Sequence, residues 1–465
     1  MTIATMLRTV PAKTAIAVSL ALGISLGLQN SADAGPREQA YRIYSRLTGT
    51  PPSNSMLATM TACISGDTAT CTTGGGDTSV SSDGKVVAAY LAMKDPANPN
   101  FLNIKVKNMV MPWTNKDQTV FAPLNDSAAT LIGLIRDGDD FRKALYADVI
   151  YIGDPAKMPG SIPAYSASND NHYIQIEHKN LDLRDVLKPV SQTNVDGSHQ
   201  LPAEAIAGVL TTRATARAFF YAGTNRAMFR FTMLNYLCND LEQIKDVTRT
   251  PDRVRQDPSR SPGGDSSIFL NNCVGCHAGM DGMDGAFAYY NWGPVEFDDS
   301  LDPDSQSMTY LSSNYPGYTL SGKQFGPTRV VPKFRQNFNS FPFGYYTTDN
   351  SWINYWRVGP NARLGWGWGD GSGNTPPHTV SYNPPKSNPY PSEPGNSAMG
   401  SAAQLGYELA NTRAFARCQV LKVYRHVCLN DPSESTLETI TGDFKTHNFN
   451  MLTAFSEAAA DCSGN

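Results

Sequence analysis

The apolar positions of this chain begin with a continuous run. TAIAVSLALGISLGL at 14–28 is preceded by the basic Arg8 and Lys13 and followed by SADA, with small side chains at Ala32 and Ala34. A basic stretch, a short apolar run and a small-residue site read as a secretory signal over 1–34, cleaved near Ala34. The run is shorter than the roughly 20 residues of a membrane span, so no integral span is expected after cleavage. Apolar residues then recur at three- and four-residue steps in REQAYRIYSRLTGTPPSNSMLATMTACIS, which predicts two helices divided at PPSNS. The same period in VVAAYLAMK, SAATLIGLI and DDFRKALYADVIY completes an N-terminal helical region over 35–152.

Residues 153–200 are rich in Pro, Asn and Asp with weak periodicity, and read as a loop-rich connector. Helical patterns return over 201–299, in PAEAIAGVL, TTRATARAFFYAG and TNRAMFRFTMLNYLCNDLEQI, the last with Thr224 as its N-cap. A polar linker at 249–265 and a short helix, SSIFLNN, follow. From 300 to 402 no helical period survives, yet FNSFPFGYYTTDNSWINYWRVG is too aromatic for a disordered segment. This region is expected to be an ordered excursion, a lid or docking face with a Pro/Gly-rich tip. Helices resume over 403–465 and complete the domain. The predicted fold class is mainly α: a multi-helix core with a long irregular, aromatic- and Pro/Gly-rich excursion.

Composition changes this picture little. The 465 residues are 40% hydrophobic, with 38 Gly and 31 Pro, enough for a sizeable core and much irregular chain. The formal charge is −4, and losing Arg8, Lys13 and Asp33 with the signal leaves the chain one charge more negative. With no basic run, nucleic acid and anionic lipid are poor partners.

Eight cysteines in an exported chain point to an oxidising compartment, periplasmic or cell-surface. Cys63, Cys71, Cys238, Cys418, Cys428 and Cys462 form an even set suited to three disulfides, with Cys63–Cys71 the simplest pair. Cys418 and Cys428 fall about 15 Å apart along one predicted helix, too far for a bridge. Each is expected to find Cys238 or Cys462, in an order the spacing leaves open.

The other two cysteines carry the chemistry. NNCVGCHAGMDGMDG places Cys273, Cys276 and His277 at C-x-x-C-H spacing, the attachment signal of a c-type haem. Two thiols two residues apart meet one porphyrin edge as thioethers, and the adjacent His277 reaches the iron as proximal ligand. Phe269, four residues ahead, is expected to pack on the haem. A redox C-x-x-C would sit near a βαβ pattern, and a zinc site would need a second nearby pair; neither is present in the sequence. Met280 and Met283 lie on the proximal side with His277. The sixth iron ligand is therefore sought downstream, at Met399 first, with Met308 and His378 as alternatives. Catalytic residues are not assigned. His172, His178, His199 and His447 carry little signal, and His426 reads as a packed helical histidine. Asp298, Asp299, Asp302 and Asp304 lack calcium-loop spacing. Trp352, Trp356, Trp366 and Trp368 suggest a carbohydrate surface only weakly, since packing explains them as well.

With these residues in view, the chain resembles the large exported cytochrome c-like proteins of unknown function first noted in planctomycetes. RIYSRLTGTPPS is similar to their "R-L-T-G-x-P-P" opening, AGVLTTRA to their "G-[IV]-L-T" turn, and NRAMFRFTMLNYLC to a helix ending in Leu-Cys. CVGCHAGMDGMDG resembles C-x-x-C-H followed by "M-D-P-x-G", with Gly282 in place of the proline, and LGYELANTRAFARCQV resembles their closing helix. DFRKALYADVIYI is similar to the block before their central loop. The resemblance implies one covalent haem in a mostly helical exported protein. The expected function is electron transfer to a redox partner protein, with a haem-dependent oxidoreductase, open at the sixth iron site and binding substrate under 300–402, as the alternative.

Overall fold

The first helices end where a glycine permits a left-handed turn. Helix α1 (Pro36–Thr48) stops at Gly49, φ 73°, and α2 (Asn54–Ser65) stops at Gly66, φ 81°. Ser53 starts α2 by accepting the Met56 N–H. The computed structural model describes residues 34–195, 201–257, 266–296, 298, 300–320, 322–335, 341, 344–366 and 400–464. The signal-like segment 1–33 and most of the Pro/Gly-rich tip lie outside them.

The molecule is mainly helical. After α1 and α2 come α3 (Gly84–Met93), α4 (Asp126–Asp137), α5 (Asn171–His178), α6 (Arg213–Phe219) and α7 (Arg226–Leu237). The cysteine-histidine motif forms α8 (Val274–Asp284), and α9 (Ser401–Ala410), α10 (Arg413–Cys428), α11 (Glu434–Thr446) and α12 (Met451–Asp461) close the chain. Helices α1, α2 and α3 pack on one another, α12 packs on α3 and α10, and α7 bridges α10 and α8. One apolar cluster therefore runs from Ala40 to Ala459. The N-terminal helices and the 403–465 helices share this core.

Strands are short and paired in twos: β1 (Ile150–Gly153) with β2 (Leu187–Val190), β3 (Tyr290–Trp292) with β4 (Met308–Tyr310), and β5 (Tyr318–Leu320) with β6 (Lys323–Phe325), all antiparallel. The last two pairs lie in or beside the aromatic excursion. Its tryptophans face inward: Trp352, Trp356 and Trp366 are 3%, 0% and 2% exposed, which removes them as a carbohydrate-binding platform. Trp368 lies outside the described residues.

Several expected helices are broken. DDFRKALYADVIY is not one helix: Asp140 caps a 3-10 turn at Phe141–Leu145, and Ile150–Gly153 pairs as a strand with Leu187–Val190. The β-branched Ile150 and Ile152 fit that pairing. PAEAIAGVL gives only the 3-10 turn Ala203–Ala205, because Gly208 turns at φ 53° and the Gly208 and Val209 N–H groups donate to the Ala147 and Ala144 carbonyls. Thr224 does not cap α7. Asn225 occupies that position at φ 65°, and its amide donates to the Phe287 and Tyr290 carbonyls. Cys238, φ 54°, ends α7 before Leu241–Ile244, and the closing pattern at 401–428 is divided at Asn411–Thr412.

Three disulfides close, Cys63–Cys71 as expected, and Cys238–Cys418 and Cys428–Cys462, which settle the order that the spacing left open. Bonds of this kind persist in oxidising compartments. No described helix is long and apolar enough to cross a membrane.

Candidate functional site

The motif sits on a helix with two unlike faces. A wide π turn, Phe269–Cys273, leads into α8, so Cys273, Cys276 and His277 follow at the three- and four-residue steps that share one side. All three are partly exposed. The other side carries Gly275, Gly279 and Gly282, and the chain packs directly on their backbone. Asp246 N–H donates to the Gly275 carbonyl at 2.7 Å, Ile353 N–H donates to the Gly282 carbonyl at 2.7 Å, and the Trp356 indole lies against Gly279. A Cβ at residue 279 would stand 1.9 Å from Trp356 Cε2. The back of the helix is thus fixed without side chains of its own, leaving the thiol and imidazole face for other contacts.

Cys273 and Cys276 are the two unbonded cysteines. The Cys276 thiol points to the Leu241 carbonyl at 3.5 Å. Burial, with a further contribution from Glu242, pushes it up to about 11, so it is a neutral thiol at neutral pH. A redox C-x-x-C nucleophile has a depressed pKa, and this one moves the opposite way.

His277 is oriented by a carboxylate. Its Nδ1 lies 3.1 Å from both oxygens of Asp281, one helical turn on. Nε2 has no hydrogen-bond partner among the described residues. The Phe269 ring stands 5.7 Å from the imidazole and 5.2 Å from Phe341, covering one edge of the site.

Asp281 has no exposed side-chain surface, and Arg226 grips it with two bonds: Nε to Oδ1 at 2.6 Å and Nη2 to Oδ2 at 2.8 Å. The Arg255 N–H adds a third bond to Oδ2 at 3.2 Å. Burial alone would raise this carboxyl, but Arg226 and His277 outweigh it and hold it well below the usual carboxylate range. Arg226 also reaches Asp257 at 3.2 Å. Arg255 pairs with Asp284 at 3.3 Å and lays its guanidinium 4.2 Å from the centre of the Phe334 ring. Asp284 is pushed up to about 7, chiefly by burial, with the neighbouring Asp281 and Asp257 adding to Arg255's incomplete compensation.

The remaining expected residues fall in different places. Met280 and Met283 are buried in the main core, on the same helix as His277. Met308 pairs with Trp292 in β3–β4 and lines a small cavity with Ile150, Gln192, Thr211 and Arg213, none of them from the motif segment. His378 and Met399 lie outside the described residues. His426 is a packed helical histidine bonded to the Lys105 carbonyl. Asp304 pairs with Arg217, and no group of three or more His, Cys, Asp or Glu among the described residues is arranged to hold a metal ion directly.

The donor set fits a covalently held haem: two free thiols at C-x-x-C spacing, and a histidine whose Nδ1 is engaged while Nε2 has no partner among the described residues. The Arg226–Asp257–Asp281–Arg255–Asp284 cluster beneath it was not anticipated. Arg255 and Asp257 belong to the stretch that reads as a polar linker, yet they are 1% and 2% exposed. The available signal was MDGMDG, which sets Asp281 and Asp284 one turn apart directly after the histidine.

Comparisons with family models, with curated proteins and with solved structures find no match to this chain.

Proposed function

We propose that this chain is an exported monohaem c-type cytochrome that passes electrons to a redox partner protein. One observation carries the reading. Six cysteines are consumed in disulfides, and the two left over stand at C-x-x-C spacing immediately before a histidine with an open Nε2. Cys273 and Cys276 would hold the haem as thioethers, each S–H adding across a vinyl double bond with no leaving group and no oxidant. His277 would supply a nitrogen ligand to the iron, its tautomer and ring plane fixed by Asp281. The bound group supplies one-electron exchange at iron. The likeness of the sequence motifs to exported cytochrome c-like proteins supports the same reading, as does a disulfide set suited to the periplasm or cell surface.

The test is the intact mass and the optical spectrum of the purified protein. The reading expects the polypeptide mass plus one haem, retained after denaturation, and a reduced spectrum unchanged by carbon monoxide. Bare polypeptide mass overturns it. Haem-loaded protein that binds carbon monoxide selects instead the haem-dependent oxidoreductase, with an open sixth position. Met399→Ala addresses the sixth ligand directly: a carrier that gains carbon monoxide binding on this change uses Met399, and one that does not uses another group.

A further inference from the structure

We infer that Asp281, locked by Arg226, is a positioning residue that lowers the reduction potential of the iron held by His277. The inference rests on the haem reading above and goes beyond it, because attachment requires only the thiols and the imidazole.

An ionised carboxylate offers about four lone-pair sites. Arg226 takes two, the Arg255 N–H takes a third, and the His277 Nδ1–H is the remaining donor. The carboxylate, which has no exposed side-chain surface, therefore cannot turn away from the imidazole without breaking a two-pronged ion pair. It also cannot be replaced by water there.

The charge balance runs in the same direction. Asp257, Asp281 and Asp284 each have 0% side-chain exposure, and two guanidiniums, Arg226 and Arg255, face them. Three carboxyls meet two permanent cations, so the cluster beneath the histidine holds no surplus positive charge to cancel the pull of Asp281 on the Nδ1 proton. A histidine that shares this proton with an anion is a more basic ligand through Nε2. It favours the ferric over the ferrous state, and ligand basicity and nearby charge are two levers by which a protein sets a haem potential.

Asp281→Asn keeps the size and a hydrogen-bond acceptor but removes the anion. Potentiometric titration of the haem-loaded variant is expected to show at least a tenfold shift toward the ferrous form, or 59 mV upward for one electron. Asp281→Glu, which retains the charge, should move it less. Intact mass and the optical spectrum are recorded on the same samples, so a chain without haem reports against the cytochrome reading and not against this one. A haem-loaded Asp281→Asn with an unchanged potential overturns the inference. If that variant does not accumulate, the wild-type protein answers through the Nδ1 proton of His277 by NMR. A proton bonded to a buried carboxylate is shifted downfield and exchanges slowly; one that exchanges freely with solvent overturns the inference as well.

Discussion

Cys238 and Cys418 lie 180 residues apart in sequence and are joined by a disulfide that fastens the end of α7 to α10. Helix α7 begins with Arg226, which grips Asp281 on α8, so the bond ties the C-terminal helices to the support of His277. Closing so long a loop restricts the unfolded chain strongly. Replacing both cysteines with alanine is expected to cost about 2–4 kcal/mol, read as a lower denaturation midpoint by circular dichroism. A midpoint unchanged under non-reducing conditions would contradict this role.

Gly279 is where the Trp356 indole lies against α8. Gly279→Ala places a methyl group where Trp356 Cε2 now stands and is expected to destabilise the protein by about 1–3 kcal/mol through overpacking. Trp356→Ala alone should cost about 3–5 kcal/mol through the cavity it leaves. In the double variant the two losses should fall short of their sum, because the second change removes the clash created by the first. Urea denaturation of the four proteins measures that coupling, and strict additivity would place the indole elsewhere.

The ion pair at α7 makes a different demand. Arg226→Met leaves Asp257 and Asp281 buried without their shared cation, a change expected to cost about 3–5 kcal/mol. Thermal unfolding should show it as a clear drop in Tm. A loss below about 1 kcal/mol, the scale of exposed pairs, would mean that the cluster is hydrated.

His426 provides a pH signature away from the motif. Its Nε2 lies 2.7 Å from the Lys105 carbonyl, while Lys105 Nζ donates to the His426 carbonyl at 2.9 Å. Burial first, and then the Lys105 charge, push this histidine down from 6.5 to about 4. Between those values the unfolded chain is protonated and the folded one is not. Stability from this residue is therefore complete above pH 6.5 and lost as pH falls toward 4, by up to about 3 kcal/mol. His426→Gln should flatten the stability curve across that window. An unchanged slope would assign the acid sensitivity to other groups.

Local signals made some elements legible. Helices α1, α2 and α4 announced themselves through apolar spacing and the terminal Gly49, Gly66 and Gly138. The spacing of Cys418 and Cys428 on one helix excluded a bond between them, while the choice of Cys238 for Cys418 and Cys462 for Cys428 needed the fold. Elements decided by distant partners were not legible. Ile150–Gly153 became a strand because Leu187–Val190, more than thirty residues on, lies beside it. Arg255 looked solvent-facing because Phe334 and Tyr345, which lie against it, come much later in the chain. Cys273, Cys276 and His277 could be found by spacing alone, but the carboxylate that orients the histidine needed the fold.

The bare glycine edge of α8 also bears on timing. Three glycines in eleven residues set this helix back by about 3 kcal/mol against an alanine sequence, so it has little reason to form by itself. Ile353 and Trp356, some seventy residues downstream, pack on those glycines, so a distant segment supplies part of what holds this helix in place. The stretch around residue 273 is therefore expected to become helical only once that segment has docked, and both thiols stay accessible until then.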